Sequence, residues 1–377
     1  MIQTVSAVLP ETRINTTRSW EKLKQVKYGL GIYPSYKEFS VDEFIAQKKE
    51  FRCDVIADVP AGVKYYTLET LPAELKKKYF STLVRTDCTS LFSYHYESVT
   101  KLVLVYIPEQ MSCSAPIQLK TCQEKGAGAV HYIIVAGKNS KAVIIDMLEI
   151  KNGTYGLSTV HEMYVEEGAE VSYYHLKQMD EGVHHFNTTI CAVDEKARVG
   201  AVEFLEGGSF VQHSYKTLLN GQLVENNYAC AFLVPKNGEY DLFTESVHTK
   251  EDTKSMMIVK GLVADKAKVI SRSNIKIKRE AVRTQSQERA DLLLLGESAQ
   301  GEAVPMLEVE NNEVQCSHGS TVSRINDENI FYLQSRGIST KAAQEMLSMA
   351  FISKVIDMFP EELQVAISEN VEKYISM

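Results

Sequence analysis

No run of apolar residues in this chain is long enough to cross a bilayer, which takes roughly 20 in succession. The longest clean stretches are short, such as LVLVYI at 102–107 and LLLL at 292–295, so a membrane span is not expected. Basic charge is not in excess: 41 Lys and Arg stand against 49 Asp and Glu, a formal net charge of -8. Such a chain lacks the broad basic surface that a phosphate backbone needs, and nucleic acid is not expected as a partner. The sequence holds no GxxxxGK followed by Ser or Thr, so it has no P-loop of its own. GAGAVH at 126–131 begins like a dinucleotide fingerprint, but it lacks the third glycine and precedes a strand. His161-Glu162 lacks the second histidine of HExxH, and the adjacent His184 and His185 would point to opposite faces of a strand. The seven cysteines, at 53, 88, 113, 122, 191, 230 and 316, form no CxxC pair. The opening MIQTVSAVLPETR has no basic start and is closed by Pro10, unlike a secretory signal. The expectation is a cytoplasmic protein with reduced thiols.

What is present is an ordinary globular composition, 44% hydrophobic and 24% charged in 377 residues, enough for one large core or two to three smaller ones. Three regions differ in pattern. Residues 1–85 read as mixed and mostly helical. Ser40-Val-Asp-Glu43 has the form of a capping box opening a helix over 42–52, Pro72 with Glu74 starts another, and Trp20 to Lys27 suggests a short third. Residues 86–330 carry many short runs rich in Val, Ile, Tyr and Phe, among them VHYIIV (130–135), EVSYYHL (170–176) and KVISRSNIKI (268–277). Turn signals such as Lys151-Asn-Gly153 and Lys236-Asn-Gly238 punctuate them. Uninterrupted strands on this scale imply a sandwich, a barrel or a stacked solenoid, and pattern alone does not choose. Residues 331–377 return to helical period. Ala343, Met346, Leu347, Ala350, Phe351, Val355 and Met358 make one stripe after a cap at Ser339 or Thr340. Leu363, Ile367, Val371 and Tyr374 make a second after Pro360. Such a hairpin either seals the end of the β core or offers a docking surface.

One local feature has chemical content. Cys316-Ser-His318 places a thiol and an imidazole two residues apart, on one face of a strand. That donor pair suits iron, zinc or an iron–sulfur cluster. Two donors do not complete a four-ligand site, so further ligands must come from elsewhere or from a second chain. The plainer reading is a buried cysteine beside a hydrogen-bonded histidine. A nucleophilic Cys–His pair is weaker, because no third orienting group accompanies it.

The stretch 305–351 closely resembles the SufB/SufD family, the scaffold subunits of the SUF iron–sulfur cluster assembly machine. The resemblance rests on Pro305-x-Leu307-Glu308, Cys316-Ser-His-Gly319, Ile330-Phe-Tyr-Leu333 and Ser335-Arg-Gly-Ile338. Weaker likeness reaches back to about residue 90 through Tyr106-Ile-Pro108, Ala115-Pro-Ile117, Val247-His248 and Lys260-Gly261. It implies a mainly β fold, a right-handed parallel β-helix core flanked by N-terminal and C-terminal helical segments. It also implies a non-catalytic scaffold, with ATP hydrolysed by a separate SufC-like ABC ATPase docked on the C-terminal helices. A SufB-like scaffold would pair through the β-helix, with a self-dimer as the alternative, and a cysteine desulfurase would act indirectly. The Cys-Ser-His-Gly and Ser-Arg-Gly segments look like SufD. Ala290 stands where SufB proteins carry an essential cysteine, which argues against direct persulfide acceptance. The resemblance implies His318 first and Cys316 second as ligands for iron or a nascent cluster, held transiently at the subunit interface. Nothing in the residues bears on a flavin. A β-helix carbohydrate-active enzyme would need clustered carboxylates, and a hexapeptide acyltransferase a strict six-residue repeat; neither pattern is visible.

Overall fold

The computed structural model describes residues 47–84, 95–151 and 154–376. It is a parallel β-solenoid of two facing sheets that share one long strand. Strand β4 (Ile117–Ala136) pairs in the first sheet through residue 123 and in the second from Gly126 onward. Gly126, at φ 76°, makes the corner between them. The first ladder continues through β5 (Lys141–Ile150), β7 (Glu170–Met179), β9 (Arg198–Gly207), β11 (Glu225–Val234), β13 (Lys254–Val263), β15 (Thr284–Leu294) and β17 (Val314–Arg324). The second starts at β3 (Val99–Ile107) and, after β4, takes in β6 (Thr154–Val165), β8 (His184–Val193), β10 (Phe210–Leu219), β12 (Glu239–His248), β14 (Lys268–Ile277) and β16 (Gln300–Val309). Every pairing in both ladders is parallel. At the N-terminal end, β1 (Arg52–Asp58) and β2 (Lys64–Thr67) pair antiparallel with β4 and β3 and cover the first turn.

Alternation fills the space between the sheets. Ile144 and Leu148 on β5, Tyr173 on β7, Leu205 on β9 and Phe232 on β11 point inward, facing Tyr132, Met163, Cys191 and Tyr215 of the second sheet in one continuous core. The outward faces are also apolar where they are covered. On the second sheet, Leu104, Val135, Val160 and Ile190 pack under Tyr79, Leu83 and Val84. On the first, Phe204, Ala231 and Leu262 pack under Ile352, Val355, Phe359 and Ile367. Buried Glu162 ties the N-terminal flap down, accepting the backbone N–H groups of Ser81 (2.7 Å), Leu83 (2.6 Å) and Val84 (3.0 Å) with His131 at 3.0 Å.

The helices follow their sequence signals in most places. Pro72 precedes α1 (Ala73–Tyr79). Short α2 (Asp327–Gln334) is capped by Asn326, and α3 (Thr340–Ile356) by Ser339, whose hydroxyl accepts from Ala342. Pro360 opens α4 (Glu361–Ser376). The hairpin of α3 and α4 lies along the flank of the first sheet and leaves the C-terminal end of the solenoid open. The helix expected over 42–52 is corrected. Its described part is a single 3-10 turn, Gln47–Glu50, and β1 begins at Arg52. RCDVIAD alternates with period two, buries Cys53 and finds hydrogen-bond partners on β4, which takes Arg52 out of the expected helix. The cap residues Ser40 to Glu43, the segment from Trp20 to Lys27, Cys88 and the turn at Asn152-Gly153 lie outside the described residues. Among the described residues, no helix is long and apolar enough to cross a membrane.

Two stability predictions follow from particular backbone and side-chain positions. Gly207 closes β9 at φ 82°, and a Cβ there would lie 1.7 Å from the Met179 carbonyl oxygen. Gly207→Ala is expected to cost at least about 2 kcal/mol in urea unfolding, since the left-handed backbone alone costs roughly 1–2 kcal/mol. Gly200→Ala, with nothing within 4 Å, is the near-neutral control. Buried His248 hydrogen-bonds the hydroxyls of Thr253 (2.8 Å) and Ser255 (2.9 Å), and burial pushes its imidazole down to about 3 from 6.5. Between those values the unfolded chain binds a proton that the folded one refuses. Stability from this group is therefore complete above pH 6.5 and declines towards pH 3, by about 1.4 kcal/mol per unit. His248→Gln is expected to flatten the acid limb of a pH–stability profile by that slope.

Candidate functional site

The last turn of the solenoid is built from β16 and β17. Among the described residues, β16 pairs only with β14 and β17 only with β15, so both outer edges keep free N–H and C=O groups. Leu307, Val309 and Val322 are exposed there, at 37%, 39% and 41%. Glu302, Pro305 and Glu308 interrupt the β16 edge, yet Leu307, Val309 and Val322 leave apolar surface on this last turn.

Cys316 and His318 occupy this turn. Parallel register sets Cys316 beside Ser286 and His318 beside Glu288. Ser286 and Glu288 are buried on the inward side of β15, so the cysteine and histidine share that inward face, as the two-residue spacing predicts. Cys316 is half-buried at the margin of the core, and burial pushes its thiol up, keeping it protonated at neutral pH. His318 is exposed. Burial pushes Glu288 up to about 7, and neither of its carboxyl oxygens has a hydrogen-bond partner. Ala290 is buried on the same face, one inward position further along β15. A thiol, an imidazole and a carboxyl group thus line the mouth of the solenoid, on two adjacent strands about 4.8 Å apart. Glu288 was not foreseen, because between Gln287 and Arg289 it reads as one more solvated charge. The signal lay in the alternation Thr284, Ser286, Glu288, Ala290, Leu292, which puts it on the core face.

Beside this mouth, a cavity of about 310 Å³ is lined by Lys260, Glu288, Asp291, His318, Gly319 and Lys354. Lys260 connects three elements here. Its ammonium lies 3.2 Å from the Asp291 carboxylate on β15 and 4.3 Å from the ring centre of Phe351 on α3. Arg289 holds the same carboxylate at 2.9 Å. The hairpin is thereby joined to the strand next to the open edge. Away from this mouth, a separate group of three donors, Asp146, His161 and His175, is fully buried inside the solenoid and has the donor set to coordinate a metal.

Residues 120–351 match the family described as "SUF system FeS cluster assembly, SufBD core domain". The chain belongs to the SufBD family. It is therefore a SufBD-type iron–sulfur scaffold protein. It is 29% identical over 232 residues to the iron–sulfur cluster assembly protein SufD of Escherichia coli, a match covering 62% of this chain and 55% of that protein. It is 24% identical over 382 residues to an iron–sulfur cluster assembly SufBD family protein of Staphylococcus saprophyticus, covering 95% of this chain and 80% of the relative. A Staphylococcus aureus SufBD family protein is 23% identical over 368 residues, covering 94% and 77%. The matched core takes in the open-end residues Glu288, Cys316 and His318.

Lys260→Met retains packing on Phe351 but strips Asp291 of its ammonium. It is expected to cost about 1–3 kcal/mol in chemical denaturation, because Asp291 is only 7% exposed in its side chain. A double-mutant cycle with Phe351→Leu should return a coupling of about 0.5–2 kcal/mol.

Proposed function

We propose that this SufBD protein is a SufD-like scaffold subunit, pairing through its open β-helix end with a SufB-like partner and assembling an iron–sulfur cluster at that junction. The observation that carries the reading is the pair Cys316 and His318 on the inward face of an unpaired last turn. Two donors bind iron too weakly to hold it alone, so the missing ligands are supplied by the partner's edge. Adding a strand to β16 and β17 satisfies their free backbone groups and covers Leu307, Val309 and Val322 in the same step. Sulfur reaches the partner from a cysteine desulfurase, consistent with Ala290 at the position where a persulfide-accepting scaffold needs a cysteine.

The chain is a scaffold and not itself a catalyst. A SufC-like ATPase docks on the C-terminal helices, where Phe331 and Tyr332 of α2 are 71% and 54% exposed and Met346 of α3 is 52% exposed. Closure of the ATPase dimer moves the helices, and Lys260 carries that displacement to β15 beside the cluster site. The site of action is the cytoplasm. Iron and the nascent cluster are cargo in this scheme.

The test is anaerobic affinity purification of the chain from its native cells, with mass spectrometry and iron analysis of what stays bound. A P-loop ATPase and a longer relative of this chain are expected together. His318→Ala should lower the iron of the assembled complex severalfold while the subunits still co-purify. Recovering the ATPase with no relative would replace the heterodimer with a self-paired scaffold. Recovering neither would remove the assembly role and return Cys316 and His318 to structural residues.

A further inference from the structure

The inward positions of the middle turns are strongly polar. β5, β7 and β9 place Asp146, then His175 with Lys177, then Glu203 in the core. β6, β8 and β10 face them with Thr159 and His161, His185 and Asn187, and His213. None of these nine side chains is more than 1% exposed. Around Glu203 the polar groups are matched. Its oxygens accept from Lys177 (2.5 Å) and Tyr228 (2.7 Å) with His213 Nε2 2.9 Å away; that Nε2 hydrogen-bonds the Tyr228 oxygen at 3.2 Å, while His213 Nδ1 accepts from Asn187 at 3.0 Å.

Near β5 the matching breaks down. The Tyr173 hydroxyl donates to Asp146 Oδ2 at 2.8 Å. His175 Nδ1 lies between two acceptors, the Tyr173 oxygen at 3.0 Å and Glu203 Oε1 at 3.3 Å, which places its proton on Nδ1. Its Nε2 therefore carries no proton, and it lies 3.9 Å from Asp146 Oδ2. His161 Nε2 is 3.3 Å from that same oxygen but misaligned for a hydrogen bond, and its Nδ1 has no partner either. Tyr132 stacks on the His161 ring at 4.3 Å and 3°, fixing its plane. Three donor atoms, one from each of Asp146, His161 and His175, lie within 4.8 Å of one another. Among these core residues two carboxylates face one ammonium, so one negative charge is left over. The unprotonated His175 Nε2, the His161 ring and the Asp146 carboxylate are thus held close together out of reach of water, and a cation between them offsets the leftover charge.

We propose that Asp146, His161 and His175 bind a divalent first-row transition ion, iron(II) or zinc(II), inside the solenoid. Two imidazoles and one carboxylate are a recognised donor set for both metals. The Glu203 contact to His175 Nδ1 is the outer carboxylate that orients a metal-bound imidazole. Burial lowers the pKa of both histidines, keeping them in the neutral form that ligates. The site is distinct from Cys316 and His318, five ladder steps or about 24 Å along the axis, and goes beyond the assembly role. Sealed on all sides, it takes its ion as the turns close during folding and then links β5, β6 and β7 across the core.

The experiment uses the full chain, unfolded with a chelator, refolded with Zn²⁺, Fe²⁺ (anaerobically), Co²⁺ or no metal, and dialysed. About one retained equivalent by mass spectrometry of the metal is expected, with a higher thermal midpoint than the metal-free refold. His161→Gln should lower retention at least tenfold, and Cys316→Ser with His318→Ala should leave it unchanged. Should His161→Gln fail to fold, Asp146→Asn replaces it, and the Co²⁺ form of the parent chain gives an independent readout, a visible spectrum without thiolate-to-metal charge transfer. A folded parent chain retaining less than about a tenth of an equivalent overturns the proposal. So does a thiolate band, or metal that survives His161→Gln and disappears with Cys316 and His318. That last pattern would leave the open-end site standing, so the two readings fail separately.

Discussion

The parallel ladder is the constraint from which the rest of this molecule follows. Each strand satisfies its backbone through the turn before and the turn after it, so the stack is content everywhere except at its two ends. The N-terminal end is closed by β1 and β2, which reverse direction and pair antiparallel with β4 and β3. The C-terminal end has no such closure among the described residues. The chemistry-bearing residues Cys316, His318 and Glu288 sit at the end that is left open, and the C-terminal hairpin lies along the flank instead.

Both flanks are covered by chain from outside the solenoid, in different ways. The N-terminal flap is held on the second sheet by an ionisable group, Glu162, that collects three backbone donors and an imidazole. The C-terminal hairpin is held on the first sheet by apolar packing of Ile352, Val355, Phe359 and Ile367, with the Tyr374 hydroxyl donating to the carbonyls of Val234 and Leu262. His161 and Glu162 show how closely these roles are interleaved. Neighbours in sequence, they point to opposite faces of β6, one into the core donor group and the other out to the flap.

Much of this was legible beforehand. Period-two runs located the strands of the core, Ser339 and Pro360 located α3 and α4, and the two-residue spacing put Cys316 and His318 on one face. The solenoid itself was not legible from pattern. Lys141 pairs with Glu170, Glu170 with Arg198 and Arg198 with Glu225, steps of 29, 28 and 27 residues, so no fixed sequence repeat marks the turns. The resemblance to SufB and SufD supplied what periodicity did not. The interior donor group was invisible for the same reason. Asp146, His161 and His175 come from three strands in two sheets, and only the register brings them together. The end of the helix expected over 42–52 was misread, because Arg52–Asp58 find ladder partners on β4.

A stack whose members touch only their immediate neighbours behaves as a one-dimensional chain of coupled units. Loss of order in one turn is felt chiefly by the turns on either side. The turn of β16 and β17 rests on a single neighbour, so it can loosen and re-form many times while the seven parallel strands behind it in each ladder stay zipped. A second molecule that laid its own strand on that edge would convert the least cooperative turn into an interior one, and assembly and local order would become the same event.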